Sequence, residues 1–223
     1  MSALSTPGAP VPARFLVVLD ADSTLIENEA IELLAEEAGS LDHVALVTER
    51  AMRGELDFAA SLRERVATLA GLSESVFDVV RSRIRVTPGV PELIAGLHQA
   101  GSRVGVVSGG FHELLDPLGA RLGLDHWRAN RLEIVDGRLT GKVLGPIIDA
   151  QAKADTLTEW ASEDGIPLRQ TVAVGDGAND LLMMDVAGLS VAFNAKPAVR
   201  RQANVTAGRV NLSDVLPLLG LRG

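Results

Sequence analysis

Two aspartates, Asp20 and Asp22, stand one residue apart directly after the apolar run Phe15–Leu19. Two more, Asp176 and Asp180, lie in the segment Gly175-Asp176-Gly177-Ala178-Asn179-Asp180. On an extended segment residues two apart point the same way, so Asp20 and Asp22 can enter one crevice. Carboxylates that close repel each other unless a cation sits among them. Hard oxygen donors, with no His or Cys in either motif, suit Mg²⁺ better than zinc. Each motif also has a plainer reading, since an isolated Asp-x-Asp-Ser makes a turn and a helix N-cap, and a lone Gly-Asp-Gly makes a turn. Gly175-Asp176-Gly177 begins like a G-x-G-x-x-G dinucleotide fingerprint, but the sixth position is Asp180, which would repel a pyrophosphate.

Two further places supply what an anionic substrate would need. Ser108-Gly109-Gly110 offers a hydroxyl and exposed backbone N–H groups that can cradle an anion. Lys153 can cancel repulsion between that anion and the aspartates. Taken singly, these are a sharp turn and a surface lysine; their order along the chain gives them weight.

The elements that must position these residues are readable from periodicity. Residues 15–20, 103–110 and 171–180 are apolar runs that break into Ser, Gly, Asp or Asn. Buried parallel strands with function-bearing loops at their carboxyl ends look like this. Helical patterns at 91–101 and 152–165 each stop at a Gly before the next strand, and a further strand is expected at 189–194. Such alternation predicts an α/β fold, a doubly wound, mainly parallel Rossmann-like sheet whose ligands sit beyond the strands' carboxyl ends. Residues 34–85 read only as helix, more than one crossover needs, and predict an inserted helical cap. Asp136-Gly137 between alternating segments predicts a β-hairpin over 131–145. The expected domains are a flexible tail at 1–13, a catalytic core at 14–33 and 86–223, and the cap at 34–85.

Composition narrows the classes of function. The chain has 223 residues, 47% hydrophobic and 22% charged, enough for one sizeable core. A net charge of −8 disfavours nucleic acid or a membrane surface as partner. There is no cysteine, hence no disulfide, thiolate nucleophile or zinc-thiolate site. No apolar run approaches the roughly 20 residues that cross a bilayer, and the first 13 residues lack the charge and apolar block of a signal peptide. A cytoplasmic location is the expectation.

The ordered set Asp20-Ala21-Asp22-Ser23-Thr24, Ser108, Lys153 and Gly175-Asp176-Gly177-Ala178-Asn179-Asp180 resembles the four motifs of the haloacid dehalogenase superfamily of phosphohydrolases. That resemblance implies Asp20 as nucleophile forming an aspartyl-phosphate and Asp22 as general acid and base. It also implies Mg²⁺ held by the side chains of Asp20 and Asp176 and the backbone carbonyl of Asp22. Ser108, Gly109 and Lys153 would hold the phosphoryl oxygens, and Asn179 and Asp180 would orient the substrate and the metal shell.

From about Arg14 onward the resemblance narrows to the phosphoserine phosphatases, on stretches such as 22–39, 51–72, 129–145 and 174–184. It implies Glu29, Met52, Phe58 and Arg65 as substrate contacts. An ammonium and a carboxylate on O-phospho-L-serine call for one acid and one guanidinium, which Glu29 and Arg65 supply. Arg65 lies two turns after Phe58 on the same side of the helix, whereas Arg63 points away. The expected reaction yields L-serine and phosphate, the last step of serine biosynthesis. Partners would be that small phosphomonoester, neither nucleic acid nor membrane, with a homodimer left open. Alternatives are a phosphatase or phosphotransferase for another small phosphomonoester, or a phospho-aspartate switch without catalysis.

Two departures from the family pattern stand out. Ala21 occupies a place where a large apolar residue is common, and only a short tail precedes the first strand. Feedback control through an N-terminal regulatory domain is therefore not expected.

Overall fold

The computed structural model describes residues 14–208 and 211–221, so the tail expected at 1–13 lies outside the described residues. The chain opens with β1 (Leu16–Leu19) and then four helices: α1 (Ala30–Ala38), α2 (Leu41–Met52), α3 (Phe58–Ala67) and α4 (Val76–Arg83). It continues through α5 (Val90–Gln99), β2 (Arg103–Phe111), α6 (His112–Leu122), β3 (His126–Val135), β4 (Arg138–Leu144) and α7 (Ala150–Glu163). The last part comprises β5 (Thr171–Gly175), α8 (Leu181–Val186), β6 (Leu189–Phe193), α9 (Pro197–Gln202), β7 (Val205–Ala207) and α10 (Val215–Leu218).

The strands form one sheet in the order β4-β3-β2-β1-β5-β6-β7, parallel except for β4. This is the mainly parallel α/β sheet that the alternation predicts. Successive crossovers run outward from β1 first to one side and then to the other, so the order reverses at β1 and opens a crevice at its carboxyl end. Both faces of β1 are covered. Val17 and Leu19 pack in a layer with Leu93, Leu97, Leu115 and Leu118. Leu16 and Val18 pack opposite with Leu157, Trp160, Met183 and Met184. That double burial explains why β1 is an unbroken apolar run rather than an alternating one.

Three details extend the sequence reading. Strand β3 pairs in parallel with β2 through His126–Asn130 and then antiparallel with β4, so the predicted hairpin is also part of the main sheet. Its turn at Asp136 (φ 50°) and Gly137 (φ 71°) has positive φ at both positions, as two-residue hairpin turns require. A short seventh strand, β7, pairs with β6 although nothing in its three residues announces it.

Helices α1–α4 share a cluster of their own, in which Leu34, Val44, Leu62, Val66 and Val80 meet Phe111 and Leu114 of the core and Leu132 and Leu139 of the hairpin. The hairpin is tied to this unit through the backbone, with Gly71 N donating to Leu139 O at 2.8 Å and Leu139 N to Leu72 O at 2.9 Å. No helix among the described residues is long and apolar enough to cross a membrane.

Candidate active site

Asp20 follows β1 directly, and its N–H donates to Val174 O of β5 at 2.9 Å, which extends the ladder by one bond. The chain then makes one wide turn, with Ile26 N donating to Ala21 O at 2.9 Å. Asp20 (φ −69°, ψ 162°) and Asp22 (φ −65°, ψ 133°) are both extended, and Ser23 sits at φ 56°. This left-handed residue reverses the chain, so the strand does not run straight into a helix.

The two carboxylates have different surroundings. Asp20 is 4% exposed, and its Oδ1 accepts from Ala21 N and from Lys153 Nζ, both at 2.7 Å. Asp22 Oδ1 accepts from Ala30 N, the first amide of α1, at 2.8 Å. Burial, then repulsion from Glu29, pushes the Asp22 carboxyl up to about 7 against the pull of the Ala30 N–H. Burial and the Asp180 charge push Asp20 well above the usual carboxylate range, with Lys153 opposing. Asp176 is held at about 6 by burial and by Asp180.

Lys153 is fully buried in the first turn of α7 and donates to both Asp20 Oδ1 and Asp180 Oδ1 at 2.7 Å. Burial alone would depress the ammonium; the Asp180 and Asp20 carboxylates outweigh it and hold it above its ordinary value. Asp180, also fully buried, accepts from Gly177 N through Oδ2 at 3.0 Å, which folds the glycine loop back on itself. Oxygens of Asp20, Asp176 and Asp180 lie within 4.8 Å of one another. Three hard oxygen donors thus converge with a single ammonium, that of Lys153, among them, and they fit a divalent cation.

One cavity joins these residues to the helical unit. Its wall includes Asp20, Asp22, Asp176 and Asn179 on the sheet side, Gly109 and Gly110 after β2, and Glu29, Phe58 and Arg65 on the helical side. Glu29 Oε1 accepts from Ser23 Oγ at 2.7 Å, and Arg65 Nε donates to Ser61 O at 3.2 Å. Arg63 is exposed. Ser108 is buried just behind this wall, its Oγ accepting from Gly110 N at 2.8 Å. Met52 stands apart from the rest: it ends α2, is 70% exposed, and does not line the cavity.

One residue at the site escapes the sequence reading. Lys196 lines the cavity and donates its backbone N–H to Asp176 O at 3.1 Å. It follows β6, and the rule that ligands gather at the carboxyl ends of parallel strands could have found it. Asp180, expected at the metal shell, is one of the three clustered acids, and the Asp22 side chain bonds to Ala30 N rather than joining them.

The sequence pattern of the haloacid dehalogenase-like hydrolases matches residues 17–185, and the chain belongs to that family. Within it, the chain is similar to phosphoserine phosphatases. That of Streptomyces coelicolor is 57% identical over 209 residues, covering 94% of this chain and 51% of the relative. Phosphoserine phosphatase SerB2 of Mycobacterium tuberculosis is 53% identical, covering 92% and 50%. The chain thus spans about half the length of these two relatives. The Streptococcus thermophilus enzyme is 52% identical, covering 92% of this chain and 95% of the relative. Among solved structures, a substrate-bound phosphoserine phosphatase complex has a TM-score of 0.87 at 41% identity, covering 92% of this chain and 98% of that one. A phospho-aspartyl intermediate analogue of phosphoserine phosphatase has a TM-score of 0.86 at 42% identity with the same coverage.

Proposed function

We propose that this chain hydrolyses O-phospho-L-serine to L-serine and phosphate through an aspartyl-phosphate on Asp20. The observation that carries the reading is the division of labour between the two motif acids in one cavity. Asp20 accepts from the Lys153 ammonium, while Asp22 accepts from the Ala30 N–H and faces the same space. A nucleophile must be ionised and a general acid must carry a proton, and the ammonium bonded to Asp20 but not to Asp22 supports that assignment.

In this mechanism Asp20 attacks phosphorus in line as Asp22 gives its proton to the departing serine oxygen. Water then attacks the aspartyl-phosphate, Asp22 takes its proton, and phosphate leaves with Asp20 regenerated. Lys153 and the Ser108–Gly110 segment hold the phosphoryl oxygens. Asp20 and Asp176, with the backbone carbonyl of Asp22 and support from Asp180, would hold Mg²⁺, which when bound offsets the charge of the phosphate and the acids. The helices within 34–85 act as the cap, in which Glu29 at its entrance pairs with the substrate ammonium and Arg65 with its carboxylate. Asn179 and Phe58 shape the remaining walls. Serine biosynthesis in the cytoplasm is the setting this reaction implies.

The test is phosphate release by the purified protein from L-phosphoserine, O-phosphothreonine and a sugar phosphate, with Mg²⁺ or EDTA, beside Asp20→Asn. Metal-dependent release from phosphoserine in strong preference to the others, lost in the variant, is the expected result. Release without that preference would remove Glu29 and Arg65 from substrate recognition. A phosphorylated Asp20 stable for hours, with no turnover, would refute hydrolysis.

A further inference from the structure

Strand β2 leaves its ladder where the phosphoryl site is proposed. Val107 is opposite Arg128 of β3 and Phe111 opposite Asn130, so Ser108, Gly109 and Gly110 face a single residue, Ala129. Such an excess bulges the strand and removes its regular backbone partners. Two side-chain hydrogen bonds take their place. Ser108 Oγ accepts from Gly110 N at 2.8 Å, and Asn130 Nδ2 donates to Gly109 O at 2.9 Å.

Asn130 is 1% exposed and uses its other end as well, with Oδ1 accepting from Ile148 N at 2.8 Å. Ile148 precedes Asp149, which caps α7 by accepting from Ala152 N at 2.9 Å, and Lys153 closes that first turn, its N–H bonded to Asp149 O. One buried amide therefore joins the bulge that lines the cavity to the start of the helix that carries the buried lysine. Its orientation is unambiguous, because a carbonyl can only accept and an N–H can only donate.

We propose that Asn130 is a positioning residue that fixes the Ser108–Gly110 bulge relative to Lys153, so that both meet the same phosphoryl group. The proposal rests on the assignment of Ser108, Gly109 and Lys153 to phosphoryl binding. Asparagine suits the place because it is a short side chain with one acceptor and one donor face. Asn130→Asp has nearly the same shape and keeps the acceptor for Ile148 N, but it sets a carboxylate oxygen against Gly109 O. It therefore displaces the bulge selectively.

The experiment compares wild type and Asn130→Asp, both with Mg²⁺, by inhibition with inorganic phosphate and, separately, with L-serine. Phosphate inhibition is expected to weaken by at least about tenfold, the lower end of what misplacing a positioned group costs. L-serine inhibition, which reads the cap side, is expected to hold within about twofold, with kcat reduced. Unchanged phosphate inhibition, or equal weakening of both, overturns the proposal. If the variant does not fold, inorganic phosphate is titrated into ¹⁵N-labelled wild type: the Asn130 side-chain amide resonances must shift, and their indifference overturns it. Failure of wild type to turn over phosphoserine would count against the reaction, whereas the phosphate-binding result bears on Asn130 alone.

Discussion

Arg65 offers a measure of how far the helical wall recognises substrate. Among the described residues no carboxylate lies within ion-pair distance of its guanidinium, and only Nε is engaged, by Ser61 O. The terminal nitrogens are therefore available to a ligand. Burial lowers the Arg65 pKa against the pull of Glu29, Asp22 and Glu32, so the guanidinium has surrendered solvation that a substrate carboxylate can replace. A charge-assisted bond of this kind is worth about 1.5–3 kcal/mol, and the partial exposure of the residue favours the lower half of that range. At about 1.4 kcal/mol per tenfold, Arg65→Ala should raise KM for phosphoserine roughly 12- to 40-fold. Phosphoethanolamine, which keeps the phosphate and ammonium but lacks the carboxylate, should show a KM changed by less than about threefold, since no bond to Arg65 is lost. Arg65→Lys should fall between, because an ammonium lacks the planar fork. Steady-state phosphate release on both substrates is the assay. Equal increases in KM for both would show that Arg65 supports the cap rather than reads the carboxylate, and would refute the reasoning.

Gly109→Ala would place a Cβ 2.8 Å from Phe58 Cζ, well inside ordinary carbon contact, so the Phe58 ring must shift. We expect kcat/KM on phosphoserine to fall by about tenfold or more, with partial recovery in Gly109→Ala/Phe58→Leu as the check that the clash is the cause. Asp125 accepts from Val104 N, Arg103 and His98 at 2.9, 2.7 and 2.9 Å; although burial raises its carboxyl, these bonds hold it below 3.8. Its contribution is thus fully present above pH 3.8 and is lost as pH falls through the lower folded value. Asp125→Asn should lower stability by about 1–2 kcal/mol at neutral pH, with the gap closing in strong acid, as read from urea unfolding midpoints.

The parts of the site that sequence revealed share one property: chemistry placed where a strand ends. Asp20, Ser108 and Asp176 each follow an apolar run that a parallel sheet buries, so local pattern predicts both strand and crevice. What escaped depends on distant pairing. Ser23 is an ordinary residue until the contact with Glu29 and the close of the turn hold it at φ 56°. Asn130 carries no motif, since its meaning comes from partners at 109 and 148. His98, His112 and His126 belong to no motif, and each meets an aspartate, Asp125, Asp116 and Asp164 respectively. Two of these pairs join separate elements, and no local periodicity encodes them. Met52 shows the converse: a residue matched by resemblance alone stands in solvent, away from the cavity.

The central place of β1 also governs how the molecule must assemble. The strand that carries Asp20 is made before both of its neighbours, residues 103–106 on one side and 171–174 on the other. Contacts so distant in sequence are slow to close, because the intervening chain surrenders its loop entropy first. A growing polypeptide cut short before α7 would leave an apolar strand with one open edge and two acids lacking their lysine and glycine loop. Synthesis order thus makes the gathering of these acids a late event in folding, and the half-made chain a natural client for chaperones.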